Sequence, residues 1–174
     1  MTKIRKYNGV YKLPIKKHKV LIDIEDLECI ENTKWRVDKY SGGVVRTDRL
    51  EDGSRKTTLL HRTIMGKYFD IKGKDIDHKN HNRLDNRKAN LRICSRLENT
   101  ANRRHQKNNT SGYIGVHLHS DGNGRWVASA SYDKNYYYLG SYSQPEEAAA
   151  VRDFFVSVVH GSYAYFNFKE FYNE

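Results

Sequence analysis

The chain has 174 residues, with 31 Lys and Arg against 21 Asp and Glu, a formal charge of +10, and 37% hydrophobic residues. That length suggests one or two small domains rather than a large enzyme around one deep core, and no apolar run approaches membrane-spanning length. The two cysteines, Cys29 and Cys94, form no CxxC pair, which argues against a cysteine zinc site and against a disulfide framework.

Taken in chain order, residues 1–58 hold short strand-like runs, Gly9–Ile15, Lys19–Ile24, Trp35–Tyr40 and Gly43–Arg49, separated by turn signals such as Ser41-Gly42-Gly43 and Glu51-Asp52-Gly53-Ser54. Asp26–Ile30 fits a short helical turn after an acidic start. Residues 59–105 follow. They contain an apolar run at Leu59–Met65, strand-like Asp75–Asp77, a polar loop, strand-like Leu91–Cys94 and then a helix, with Ser95 as N-cap and Glu98 completing a capping box. Residues 106–111 read as a linker. Residues 112–174 change character. Gly112–His119, Arg125–Tyr132 and Asn135–Tyr142 predict a three-stranded meander. Pro145-Glu146-Glu147 opens a helix that Gly161 stops. On that helix Ala148, Val151, Phe155, Val158 and Val159 have the spacing of a stripe packed on the sheet. The expected fold class is α+β, with a β-rich N-terminal segment and a C-terminal three-stranded antiparallel sheet packed on one helix. The basic start Met1–Lys6 leads into Tyr, Asn and Gly, not an apolar leader, so a cytoplasmic protein is expected.

The charge is uneven. Residues 81–110 carry 8 basic and 2 acidic side chains, whereas residues 111–174 carry 4 and 7. In the basic stretch Arg83, Arg87, Lys88, Arg92, Arg96, Arg103, Arg104 and Lys107 alternate with Asn, a combination able to reach phosphates and base edges. The most informative run is Asp77-His78, followed by Asn82-Arg83-Leu84-Asp85-Asn86-Arg87, Asn90-Leu91-Arg92 and Arg96-x-x-Asn99-x-x-Asn102. An Asp beside a His at a strand end offers a hard oxygen ligand and a base active near neutral pH. One Asp, one Asn and several waters suit a partly hydrated Mg²⁺ that takes a phosphate as a further ligand.

This pattern resembles the HNH endonucleases, in particular the phage and intron-encoded homing branch. Leu60-His61-Arg62 with Met65-Gly66, and the Asp23–Trp35 segment, share the resemblance, which covers Asp23 to about Arg104. It implies a ββα-metal nuclease core acting on double-stranded DNA with one Mg²⁺ or Mn²⁺ and no structural zinc. By position His78 is the general base, Asp77 and Asn99 are metal ligands, and Asn90 holds the loop and orients the base. Asn102 lies three residues beyond Asn99 on the same helix face and is the rival ligand. His61 either supports the site or is a packed, hydrogen-bonded histidine. His81 and His105 read as phosphate neighbours or solvated side chains.

The C-terminal module carries a second resemblance. Ser111-Gly112-Tyr113-Ile114-Gly115-Val116, Gly124-Arg125-Trp126-Val127-Ala128, Tyr138-Leu139-Gly140-Ser141-Tyr142 and Glu146-Glu147-Ala148-Ala149-Ala150 are similar to the APETALA2/ethylene-response-factor DNA-binding domain. It implies a sheet whose open face enters the major groove. Strand parity puts Trp126, Ala128 and Ala130 against the helix, and His117, His119, Arg125, Tyr136 and Tyr138 on the open face. With Arg83, Arg87, Arg103 and Arg104, these are the candidate DNA contacts. The function expected is a site-specific homing-type endonuclease, a monomer or weak homodimer. A non-catalytic DNA-binding regulator and an RNA-directed nuclease are the alternatives.

Overall fold

His18–Asp23 sets Val20 and Ile22 inward, both fully buried, and these two side chains found the core of the N-terminal unit. The computed structural model describes residues 5–7, 10–15, 18–31, 33–102 and 109–172. The chain divides into two units, residues 1–95 and 96–174. Lys16, Lys17, Arg103, Arg104, His105 and Lys107 lie outside the described residues.

In the first unit, β1 (Arg5–Tyr7), β2 (Val10–Ile15) and β3 (His18–Asp23) form an antiparallel sheet. A 3₁₀ turn at Ile24–Cys29 follows, close to the helical turn expected there. A second antiparallel sheet joins β4 (Arg36–Val37), β5 (Val44–Arg49) and β6 (Arg55–Leu59). The Leu59–Met65 apolar run is the start of a helix, α1 (Leu60–Tyr68). Leu60, Ile64 and Met65 all point inward, the spacing of one helical face. β7 (Asp75–His78) and β8 (Leu91–Cys94) pair antiparallel, Asp77 opposite Arg92 and His78 opposite Leu91. Val20, Ile22, Val44, Leu60, Ile64, Met65, Ile76 and Leu91 make one core, with Leu84 and Ile93 packed on its margin.

The loop between β7 and β8 is tied to β3 rather than left loose. Leu21 N donates to Leu84 O at 2.8 Å, and Asn86 N donates to Leu21 O at 2.9 Å. Lys88 N donates to the Asp23 carboxylate at 2.8 Å. The Asp23 segment is therefore a scaffold for the loop that carries the Asn-Arg-Leu-Asp-Asn-Arg motif.

The second unit contains α2 (Arg96–Ala101), then β9 (Val116–Leu118), β10 (Trp126–Tyr132) and β11 (Asn135–Tyr142) in the order β11-β10-β9, and α3 (Pro145–His160). Asp133 and Lys134 both have positive φ, 47° and 66°, the two-residue turn whose twist suits a hairpin. Trp126 and Ala128 pack with Ala148 and Ala149, and Ala130 packs with Val156, on the face that parity assigned to the helix. A bulge between Ala128 and Ser129 shifts the register with β11.

The packed stripe of α3 differs from the expected one. Val158 is exposed, as is Phe154, and the buried positions are Ala148, Ala149, Arg152, Asp153 and Val156. The physical reason is a polar lock. The fully buried Asp153 carboxylate accepts from Asn167 N at 2.7 Å, Phe168 N at 2.9 Å and Arg152 Nη1 at 3.0 Å, so a charged pair occupies part of the inward face. Gly115, with φ of 73°, admits this packing. A side chain there would clash with the Ser129 carbonyl and lie 2.9 Å from Arg152 Cγ.

Candidate active site

β7 ends at His78, and the core under Ile76 buries both Asp77 and His78. Burial is the largest influence on the His78 imidazole and pushes its pKa below the usual value. The ring is therefore neutral at pH 7, the form a proton acceptor needs. Asn86 Oδ1 lies 3.4 Å from His78 Nε2, long for a hydrogen bond but placed to orient the ring. The His61 ring meets His78 edge to face, with centroids 5.0 Å apart and planes at 77°.

Asn90 pins the loop at both ends. Its Oδ1 accepts from Asn80 N at 3.0 Å, its Nδ2 donates to Asp85 O at 2.8 Å, and Lys79 N donates to its backbone oxygen at 2.9 Å. Asp85 is a second hub. It accepts two bonds from Arg87, at 2.7 and 2.6 Å, and one from Asn80 Nδ2 at 3.0 Å. His81 adopts positive φ, 60°, at the turn after His78, and its N–H donates to His78 O at 2.8 Å.

The Asp77 carboxylate accepts two bonds from Arg92 on one oxygen, Oδ2, at 2.9 and 2.8 Å. A cationic group is thus already held at this carboxylate. The strand register alone brings the two together, and pairing residues 75–78 with 91–94 in the sequence would have revealed it. Among the described residues no three His, Cys, Asp or Glu side chains gather as a metal cage. The hard oxygen donor here is the Asp77 carboxylate, next in sequence to the His78 imidazole. A single carboxylate fits a largely hydrated hard divalent cation.

The sequence-predicted residues distribute as follows. Asp77, His78 and Asn90 stand together on and beside the β7–β8 pair. Asn99 belongs to α2 in the second unit, and Asn102, buried, follows that helix. Arg83 is exposed, its Nη1 on Ser41 O at 2.6 Å, and Arg87 is committed to Asp85. In the second unit His117, Arg125, Tyr136 and Tyr138 are exposed. Arg125 reaches across its sheet to Ser141, and His119 is half-buried against Asp121 at 2.9 Å. Val127 and Ser129 lie in the same face rows as His117 and Tyr138 but are buried. Asn86 was quoted within the motif without a role, and Arg92, expected among the phosphate-reaching basic residues, instead bonds Asp77.

A family model described as HNH endonuclease matches residues 59–101. The matched segment runs from the end of β6 through α1, the β7–β8 pair and α2, and so contains Asp77, His78, Asn90 and Asn99. It points to a nuclease acting on DNA. No curated protein matches the chain. Among the described residues no helix is long and apolar enough to cross a membrane.

His61, within the matched segment, makes folding sensitive to acid. Burial holds the His61 pKa down at about 3. The unfolded chain takes up that proton near pH 6.5, whereas the folded chain resists it until about pH 3. The unfolded state thus binds more protons throughout this window, and stability falls as pH drops from 6.5 toward 3, by at most ~1.4 kcal/mol per pH unit for this group. Melting curves of wild type and His61→Phe should diverge progressively on acidification, wild type losing more. A pH-independent gap would show that His61 protonates equally in both states.

Proposed function

We propose that the protein is a site-specific DNA endonuclease of the homing type, hydrolysing phosphodiester bonds with His78 as general base and one divalent metal. The observation that carries this reading is the buried His78 at the end of β7, next in sequence to Asp77 and flanked by a loop that Asn90 fastens on both sides. His78 takes the proton of the attacking water. Asn86, 3.4 Å from His78 Nε2, orients the imidazole while it does so. Asp77 and Asn99 are the side chains that would hold the metal, a pairing that rests on motif spacing. Bound there, a divalent cation supplies charge stabilisation for the pentavalent phosphorus and the leaving oxygen. Arg92 orients the Asp77 carboxylate through its two bonds to Oδ2.

Two surfaces support DNA as the substrate. The β9–β11 sheet presents His117, Arg125, Tyr136 and Tyr138 on one side, an APETALA2-like arrangement whose polar and aromatic groups suit base edges and thymine methyls. The β5–β6 hairpin places Arg49 directly opposite Arg55 and Thr47 opposite Thr57, with the two threonine hydroxyls 3.4 Å apart. Like charges facing across a ladder repel, and a phosphate between them removes that cost. The account expects Arg49→Ala with Arg55→Ala to flatten the dependence of log binding constant on log salt by about two units. An unchanged slope in a salt titration of DNA affinity would remove this hairpin from the interface.

A further inference from the structure

The proposed reaction uses His78 but leaves the ring beside it without a task. His61 sits in the first turn of α1, where Leu60 and Ile64 are fully buried and fix the helix. The next residue, Arg62, donates to Lys74 O at 2.8 Å and to Ile71 O at 3.3 Å, which ties this turn to the approach into β7. His61 is therefore held by the core on one side and by the segment leading to the site on the other. Its Nδ1 is buried and has no hydrogen-bond partner among the described residues. A buried ring nitrogen left unpaired costs stability. A phenyl ring would fill the same space without that cost.

What the imidazole does provide is an aromatic ring packed nearly perpendicular to the His78 ring, at 5.0 Å and 77°. Edge-to-face contacts of this kind are directional, because the positive rim of one ring faces the negative face of the other.

We infer that His61 is a positioning residue for His78, acting through the perpendicular contact of its aromatic ring and not through its nitrogen. This rests on the nuclease reading given above. The geometry needed for proton transfer tolerates little displacement, and a misplacement of about 1 Å can cost on the order of 10²-fold in rate.

The test compares wild type, His61→Phe and His61→Leu on supercoiled plasmid carrying the gene and its flanks, with Mg²⁺. It records kcat, KM, DNA affinity and melting temperature. His61→Phe is expected to melt at or above the wild-type temperature and to keep kcat within a few-fold. His61→Leu, of similar bulk but without a ring, is expected to lose kcat at least tenfold with KM and DNA affinity unchanged. Should His61→Leu fail to fold, His61→Met serves in its place. Wild-type kcat in the aliphatic variants, or loss of kcat in His61→Phe, overturns the inference while leaving the nuclease reading intact. Absence of cleavage by wild type itself overturns both.

Discussion

Replacing His78 by Ala is expected to lower the rate of phosphodiester cleavage by about 10²–10⁴-fold, the range a positioned general base contributes. DNA affinity should stay at the wild-type level. The separation follows from the geometry. His78 is buried beneath the strand end and faces Asn86 and His61, so it offers little surface for holding a substrate. The groups suited to gripping the backbone, such as Arg49, Arg55 and Arg125, are exposed and remote from it in sequence. Single-turnover rates beside a binding isotherm would check both halves. A variant that loses affinity in parallel with rate would show that His78 acts in binding.

The largest stability effect is expected in the second unit, from Asp153→Ala. The Asp153 carboxylate is fully buried and accepts from two backbone amides, Asn167 and Phe168, from the Asn167 side chain at 3.1 Å, and from Arg152. Arg152 in turn donates to Tyr165 O at 2.6 Å. Asn167 also bonds Ile114 through both of its amide atoms, at 2.8 and 3.1 Å. One carboxylate therefore joins α3, the C-terminal tail and the approach to β9. Removing it strands a buried guanidinium and two amides together, and breaking a buried ion pair from one side costs about 3–5 kcal/mol. Chemical denaturation of the full chain would measure this. A loss under ~1 kcal/mol would mean that Arg152 and the tail reorganise into other bonds, and that the lock is not what organises the unit.

The sequence disclosed some of these features and hid others, for identifiable reasons. The β7–β8 pair was legible almost to the residue, because Asp75–Asp77 and Leu91–Cys94 are short runs with apolar residues at Ile76, Leu91, Ile93 and Cys94, bounded by polar loop residues. The start and stop of α3 were equally clear, since Pro145 with two glutamates and Gly161 with φ of 53° are strong local signals. Its inward face was not. A buried Arg152–Asp153 pair contradicts the rule that charges face water, and only the tail residues near Asn167 explain it. Helix α1 read only as an apolar run, because Leu59 precedes it without a capping side chain and Gly66 lies inside it. β6, Arg55-Lys56-Thr57-Thr58-Leu59, has too few apolar residues to show a strand period, and its pairing with β5 is what makes it one.

In the site, Asp77, His78 and Asn90 were visible because the motif spacing names them. The roles of Asn86, Arg92 and the His61 ring depend on register and on packing between segments far apart in sequence. An expectation of a packed, hydrogen-bonded His61 was half met, since the ring is packed while Nδ1 lacks a partner among the described residues.

The most direct measurement is to incubate purified wild type and His78→Ala with DNA spanning the flanks of the gene, in Mg²⁺ and in EDTA, and to map the ends on a denaturing gel. Discrete ends are expected with wild type in Mg²⁺, none in EDTA, and with His78→Ala the same ends forming at least about 10²-fold more slowly. Ends of equal yield from His78→Ala, or wild-type binding to the same DNA with no ends in any divalent ion, would contradict it.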